Sequence, residues 1–238
     1  MNKWINNIHS LLYPPSCLLC GARGTQGLDL CHGCLSDLPA VGAACHCCAL
    51  PLVGTEAGRL CGQCQQQPPA FDRSISLFRY QPPVAGLIQQ LKFNGRLAIA
   101  RSLGELLAQL LAQRLASVHP LPEAILPVPL HVTRLRQRGF NQALELARPL
   151  AQVLQLPLLT QHCQRIRATT AQTSLSAKQR RRNIRGVFQM VKPLPAKHIA
   201  IVDDVMTTGQ TVNELAKMLR KAGAERIDIW VCARADRA

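Results

Sequence analysis

Four Cys-x-x-Cys pairs stand between residues 17 and 64: Cys17/Cys20, Cys31/Cys34, Cys45/Cys48 and Cys61/Cys64, with Cys47 left over. Two sulfurs three residues apart on a tight turn grip a metal from one side, and a second such turn completes a tetrahedral thiolate shell. Four turns therefore supply two structural zinc sites. A disulfide framework needs an oxidising compartment. The residues ahead of the cysteines, Met1 to His9, break any apolar run with asparagines and do not read as an export signal. The chain is accordingly expected in the cytoplasm, with no transmembrane segment.

An internal repeat favours one pairing of the turns. Cys17 and Cys20 lead to Gly27-Leu28-Asp29-Leu30-Cys31-x-x-Cys34, and Cys45 and Cys48 lead to Gly58-Arg59-Leu60-Cys61-x-x-Cys64. A duplicated unit most simply binds metal within each copy, first pair with second and third with fourth; cross-braced pairing, first with third, is the alternative. His46, between Cys45 and Cys47, is a candidate substitute ligand. So short and polar a segment has few apolar residues for a core, and the metals are expected to hold its fold, a contribution on the order of 10–16 kcal/mol in small finger peptides. Ahead of it, Trp4, Ile5, Ile8, Leu11 and Leu12 form an amphipathic turn or two expected to pack on the ribbons.

Charge is distributed as unevenly as cysteine. The net charge is +15, and 21 of the 28 basic residues are arginine, whose planar fork suits bidentate phosphate contact. Residues 1–70 sum to zero, whereas 131–186 hold eleven basic residues against the single Glu145. That concentration points to a polyanion site rather than to general solubility. Zinc ligation lowers the formal charge to about +11 and turns the ribbon segment acidic, which favours a folding or docking role for the ribbons. With 47% hydrophobic and 17% charged residues, the 238-residue chain can bury a sizeable core, which excludes disorder, collagen and a bare disulfide mini-protein.

A boundary near Gln65-Gln66-Gln67-Pro68-Pro69 divides an N-terminal helix and double ribbon, residues 1–67, from a larger domain, residues 68–238. The larger domain begins with a strand over 71–80 that turns Ile75, Leu77 and Phe78 inward. A helix opened by Pro82-Pro83 follows, then a longer one from Leu97 to Val118 whose stripe of Leu103, Leu106, Leu107, Leu110, Leu111 and Leu115 reads as core. Further strands are expected at 124–128, 158–163, 198–202 and 226–232, and helices at 141–154, 177–184 and 212–222. Alternation of this kind predicts an α/β domain with a parallel sheet covered on both faces, ligands sitting at the carboxyl ends of the strands. Cys163 and Cys232 fall within strands and read as small core residues.

At one such end the buried run His198-Ile199-Ala200-Ile201-Val202 leads into Asp203-Asp204-Val205-Met206-Thr207-Thr208-Gly209-Gln210-Thr211, and then a helix. Adjacent carboxylates accept hydrogen bonds from vicinal hydroxyls, as on a ribose. The small residues beyond them expose N–H groups at a helix N-terminus, where a phosphate is favoured. Sugar and phosphate contacts are thus one loop apart, the size of a ribose 5-phosphate. Upstream, Pro127-Val128-Pro129-Leu130 ends a strand before Arg134-Leu135-Arg136-Gln137-Arg138-Gly139-Phe140-Asn141-Gln142. Downstream, Arg165, Arg167, Thr169, Gln172 and Leu175 precede Arg180-Arg181-Arg182-Asn183 and Phe188.

The stretch from Ile199 to Thr211 resembles the phosphoribosyl-pyrophosphate (PRPP) motif of type I phosphoribosyltransferases, and the whole order from Cys17 to Arg234 resembles the competence protein F family, most closely its proteobacterial DNA-utilization members. The resemblance implies the phosphoribosyltransferase fold, with Asp203 and Asp204 on the ribose hydroxyls and Thr207, Thr208, Gly209 and Thr211 around the 5-phosphate. Val205, Met206 and Gln210 complete the motif. It further implies a diphosphate met by Arg134, Arg136 or Arg138 from a loop, a mobile cover from Arg165 to Arg182, and magnesium arriving with the substrate. Uptake or utilization of external DNA is the implied role, with single-stranded DNA and other DNA-uptake proteins as partners. Arg165, Arg167, Arg180, Arg181 and Arg182 would follow the phosphate backbone, and Phe140 or Phe188 would stack on bases. No residue names an acceptor or a catalytic group, although the segment 71–96 could form an acceptor hood.

Overall fold

The structure, a computed structural model, describes residues 15–25, 27–54, 58–115, 120–168 and 184–236. Two one-turn helices, α1 (His32–Ser36) and α2 (Gly62–Gln66), begin within the second and fourth cysteine turns, capped by Cys31 and Cys61 and carrying Cys34 and Cys64. Then come β1 (Arg73–Arg79), α3 (Val84–Asn94), α4 (Leu97–Leu115), β2 (Ala124–Pro127), α5 (Val132–Arg138) and α6 (Gln142–Leu154). The chain closes with β3 (Cys163–Arg165), β4 (Phe188–Met190), β5 (His198–Met206), α7 (Gln210–Lys221) and β6 (Arg226–Arg234).

Four strands form one sheet in the order β1-β6-β5-β2, every neighbouring pair parallel. Near-continuous apolar runs explain this, because a parallel sheet is covered on both faces and its strands need not alternate. Along β5, Ala200 and Val202 pack with α3, α4 and α6, while Ile199 and Ile201 pack with α7. The leucine stripe of α4 enters the first layer, Leu103, Leu106, Leu107 and Leu111 being buried and Leu110 half-buried. In β1, Ile75 and Phe78 are buried as expected, but Leu77 is half-buried and Ser74 and Ser76 are covered instead. Edge position accounts for it, since one side of β1 meets the ribbons rather than a strand.

Those ribbons close the open edge of the sheet. Pro39 accepts the N–H of Arg79 at 2.8 Å, Ala40 forms an antiparallel bridge to Phe78, and the His46 carbonyl accepts from Ser74 at 3.2 Å. An unpaired strand edge is a template for aggregation, and here two metal-ribbon loops cover it. The first ribbon lends Leu28 and Leu30, 1% and 0% exposed, to the layer of α3 and α4; the second packs its cysteines with the layer of α7. The ribbon segment thus has more of a core than its own composition offers, because it borrows the core of its neighbour.

The strand expected over 158–163 is different in the structure. Leu158 makes a single parallel bridge to Ile125, and the polar Thr160-Gln161-His162 ends the apolar run. Pairing resumes as β3 against β4, an antiparallel ribbon outside the main sheet. β5 is longer than its apolar run and carries the acidic pair within its hydrogen-bonded length, Asp203 opposite Val231 and Met206 opposite Arg234. The segment 71–96 is an edge strand and a core helix rather than a hood. The N-terminal apolar turn and the arginine-rich helix expected over 177–184 lie outside the described residues, apart from Ile184.

Candidate functional site

All eleven cysteines are thiols. Eight gather as Cys17, Cys20, Cys31 and Cys34, and as Cys45, Cys48, Cys61 and Cys64, the sulfurs of each set within 4.8 Å of one another. Pairing is therefore sequential, as the internal repeat favours, and neither His46 nor Cys47 is needed to complete a set. Separations of 3.6 Å between the sulfurs of Cys20 and Cys31 and 3.7 Å between those of Cys48 and Cys61 suit two ligands of one tetrahedral ion with bonds of about 2.3 Å. Backbone N–H groups of Cys34 and Cys61 point at the sulfurs of Cys31 and Cys45, favouring the thiolate. Burial opposes ionisation of Cys17, but N–H donors from Cys31, Cys20 and Leu19 outweigh it and bring the thiol down to about 6. Cys34 is pushed up, first by its hydrogen bond with Cys20. Four sulfurs so close share protons until a cation replaces them, and both clusters fit structural zinc. Cys47 stays outside the sets, its thiol toward the Phe71 carbonyl at 3.8 Å, and burial pushes it up to about 12.

The acidic pair sits at the carboxyl end of β5. Asp204, on the same side of the strand as Ala200 and Val202, is 3% exposed and meets α3 and α6 of that layer. Its Oδ2 pairs with Lys92 Nζ from the last turn of α3, and its Oδ1 accepts from Gln142 Nε2 of α6 at 3.1 Å. The Asp203 carboxylate accepts the N–H of Asp204 at 2.9 Å. Burial, and then the neighbouring charge of Asp204, push Asp203 up to about 8, against a downward pull from Lys92. Beyond the pair, Thr207 and Thr208 are exposed and Gly209 stands at φ 76° as the N-cap of α7. Glycine is favoured there because the left-handed backbone, φ 76°, penalises a side chain. The result is a short loop of small polar residues feeding a twelve-residue helix N-terminus.

Basic side chains converge on this corner from two other elements. β2 runs parallel to β5 and its last residue, Pro127, pairs with Val202, so the chain leaving β2 starts beside Asp203. There the structure forms the helix α5 instead of a loop, with His131 accepting the N–H of Thr133 at its start and Gly139 at φ 80° closing it. Helical spacing puts Arg134 and Arg138 on one face and Arg136 on the other. Arg138 bonds Gln142 and feels the charge of Asp204; burial, and then Arg134, work against its own charge. Arg136 is exposed on the far side. Asn141 fixes the angle between these elements, capping Ala143 at 3.0 Å while its amide donates to the Val128 carbonyl at 3.1 Å.

Arg165 arrives from β3, which His131 bridges in parallel. Its guanidinium is weakened mainly by burial, then by Arg134, and supported by Asp203. It also covers the ring of Phe188 at 5.6 Å. Phe188 is therefore closed to base stacking, and Phe140 packs half-buried against the first core layer. Arg167 is exposed and bonds the Arg185 carbonyl. Arg180, Arg181 and Arg182 lie outside the described residues. The residues missed from sequence are Lys92 and Gln142, whose only signals were a lysine just before the Gly95 that ends α3 and a glutamine at the start of α6.

Two family profiles match the chain: a double zinc ribbon domain over residues 8–65 and a phosphoribosyl transferase domain over residues 98–238. The DNA utilization protein YhgH of Salmonella typhi is 38% identical over 227 residues, covering 94% of this chain and 99% of that protein. Competence protein F of Haemophilus influenzae is 38% identical over 214 residues, covering 87% and 90%. Among solved structures, the glutamine PRPP amidotransferase of B. subtilis overlaps at a TM-score of 0.37 and 19% identity, covering 56% of this chain and 25% of that one. Sequential four-cysteine clusters, a parallel α/β sheet and two close full-length relatives agree: the chain belongs to the competence protein F family of DNA-utilization proteins, a double zinc ribbon joined to a phosphoribosyl transferase domain.

Proposed function

We propose that residues 68–238 bind PRPP, or a related phosphorylated ribose, with magnesium, in a cytoplasmic protein that serves the uptake or utilization of external DNA. The observation that carries the reading is the convergence of Asp203 and Asp204 with Arg134, Arg138 and Arg165 around one strand end. Asp203 and Asp204 hold the ribose hydroxyls. The loop Thr207, Thr208, Gly209, Gln210 and Thr211 takes the 5-phosphate, with Val205 and Met206 setting its origin. Arg134 and Arg138 meet the diphosphate, Arg136 remains outside, and Arg165 leans over the opening. Magnesium bound to the diphosphate supplies charge neutralisation at the leaving group. The eight cysteines, with zinc, hold the ribbon segment against the sheet edge through Pro39, Ala40 and His46.

Single-stranded DNA is the partner this reading assigns to the exposed arginines of 131–186, among them Arg136 and Arg167, together with Arg180, Arg181 and Arg182. The names of the relatives support it, and other DNA-uptake proteins are its natural associates. The half-buried trio Arg134, Arg138 and Arg165 favours a second reading, transfer to a nitrogenous acceptor. In that reaction the C1–oxygen bond breaks, the electron pair leaves with diphosphate, and the acceptor nitrogen bonds C1 and loses its proton. Arginine charge aimed at the departing diphosphate is what such a step requires.

One experiment separates the two: incubation with magnesium and PRPP, following binding and diphosphate release with and without single-stranded DNA. Binding without turnover supports the DNA-linked role; stoichiometric release with a defined acceptor supports the transferase. Absence of PRPP binding by the wild type, or binding unchanged in Asp203→Asn/Asp204→Asn, overturns both.

A further inference from the structure

Arg234, the last residue of β6, is 1% exposed. Its Nε donates to the Cys48 carbonyl at 2.8 Å, and its Nη1 donates to the Met206 carbonyl at 3.0 Å and to the Thr207 carbonyl. Cys48 belongs to the second four-cysteine set, and Met206 and Thr207 open the small-residue loop that leads into α7. One buried guanidinium therefore joins the metal cluster to the loop. The adjoining backbone adds to the junction: the Ala235 N–H donates to the Met206 carbonyl at 3.0 Å, and the Arg234 carbonyl accepts from the Tyr80 N–H at 2.8 Å.

A planar fork satisfies several carbonyls at once in a way that an ammonium cannot. A buried cation that loses an acceptor must recover one or draw in water. If the ribbon loosens, the Cys48 carbonyl leaves and the guanidinium shifts, taking the Met206 and Thr207 carbonyls with it. If the loop is fixed by a ligand, the same bonds hold the Cys48 turn in place.

We propose that Arg234 is a positioning residue that links occupancy of the Cys45, Cys48, Cys61 and Cys64 cluster to phosphate binding at the Thr207–Thr211 loop. The link rests on the reading of that loop as a 5-phosphate site, and it is reciprocal: anion binding retards metal loss, and metal loss weakens anion binding. The Cys17, Cys20, Cys31 and Cys34 cluster packs on the opposite layer and serves as an internal control.

The test uses the full zinc-loaded chain and ribose 5-phosphate. Calorimetry measures binding, and cysteine alkylation during chelation, read peptide by peptide, reports metal loss at each cluster. Saturating ribose 5-phosphate slows alkylation of the second cluster about fivefold or more and leaves the first unchanged. Arg234→Met abolishes the difference, and Arg234→Lys retains only part of it. Ribose 5-phosphate that binds yet protects neither cluster, or both equally, overturns the link while leaving the phosphate site intact. Failure to bind overturns the phosphate site and the link with it. Full protection in Arg234→Lys, which decides the matter should Arg234→Met not fold, overturns the role of the guanidinium fork.

Discussion

Lys92 closes an ion pair with Asp204 across the junction of α3 and β5, and the lysine is 24% exposed while the carboxylate is 4% exposed. Removing the cation leaves a buried carboxylate held by the Gln142 Nε2 hydrogen bond and the more distant charge of Arg138. Partial exposure of the lysine reduces the cost below that of a fully buried pair, so Lys92→Met is expected to destabilise the fold by about 1–3 kcal/mol. Adding Asp204→Asn restores most of the loss, because the unpaired charge goes with it. Urea denaturation of the double-mutant cycle checks this; additive losses would show that the pair is not coupled.

Asp203 gives the fold a pH dependence of unusual sign for an acid. Burial and the charge of Asp204 push it up to about 8, whereas an aspartate in the unfolded chain titrates near pH ~4. Between about pH 4 and pH 8 the folded state binds the extra proton, so stability falls as pH rises through that window. Asp203→Asn removes the penalty. Its Tm should exceed that of the wild type by about 2–4 °C at pH 8, and the gap should shrink toward pH 5. Equal gaps at both pH values would mean that Asp203 ionises as an ordinary aspartate.

The face of α5 predicts which arginines matter for a diphosphate. Arg134 and Arg138 lie on the side of the acidic pair and Arg136 on the other. Charge-assisted hydrogen bonds are worth roughly 1.5–3 kcal/mol, so Arg134→Ala and Arg138→Ala should each weaken PRPP binding about 10-fold to 100-fold, with Arg136→Ala within about twofold of wild type. Ribose 5-phosphate, lacking the diphosphate, should lose far less. Calorimetry with both ligands decides it, and equal damage from Arg136→Ala sinks the assignment.

Core packing offers a check that is independent of ligands. A Cβ on Gly104 of α4 would stand 2.4 Å from the Pro149 ring and 2.6 Å from the Leu146 carbonyl of α6. Backbone cannot move aside cheaply, so Gly104→Ala should destabilise by about 1–3 kcal/mol despite its better helix propensity. A thermal melt at or above that of the wild type would mean that α4 and α6 are not held this close.

What sequence made legible, and what it did not, follows from the range of each interaction. Cysteine spacing marks both metal clusters because the ligands are local, and the apolar run ending in Asp203-Asp204 marks the strand end because strand, turn and helix follow one another. Lys92, Gln142 and Arg234 were missed because each acts on a residue far along the chain, Gln142 on one 62 positions away. Arg134, Arg136 and Arg138 read as equivalent in a loop and become distinct only in a helix. β3 and β4, three residues each, are too short to carry a periodic pattern, and so the stacking of Arg165 on Phe188 was hidden.

Chelation tests how far the ribbons and the sheet form one core. The first ribbon places Leu28 and Leu30 in the layer of α3 and α4. Asp29 between them pairs with Arg101 and donates its N–H to Ser102 Oγ at 3.2 Å, both on α4. Burial of two leucines contributes about 1.5–3 kcal/mol each, a large share of the 5–15 kcal/mol that typically holds a domain together. Metal removal should therefore unfold the cysteine segment first and leave the sheet folded but weakened, with α4 losing protection next. Hydrogen exchange after chelation should show residues 15–66 exchanging before α4, and α4 before β5 and β6, with a dye specific for apolar surface binding at the same time. Undiminished protection of α4 would mean that the ribbon rests on the domain without sharing its core; simultaneous loss everywhere would mean that the two were never separable.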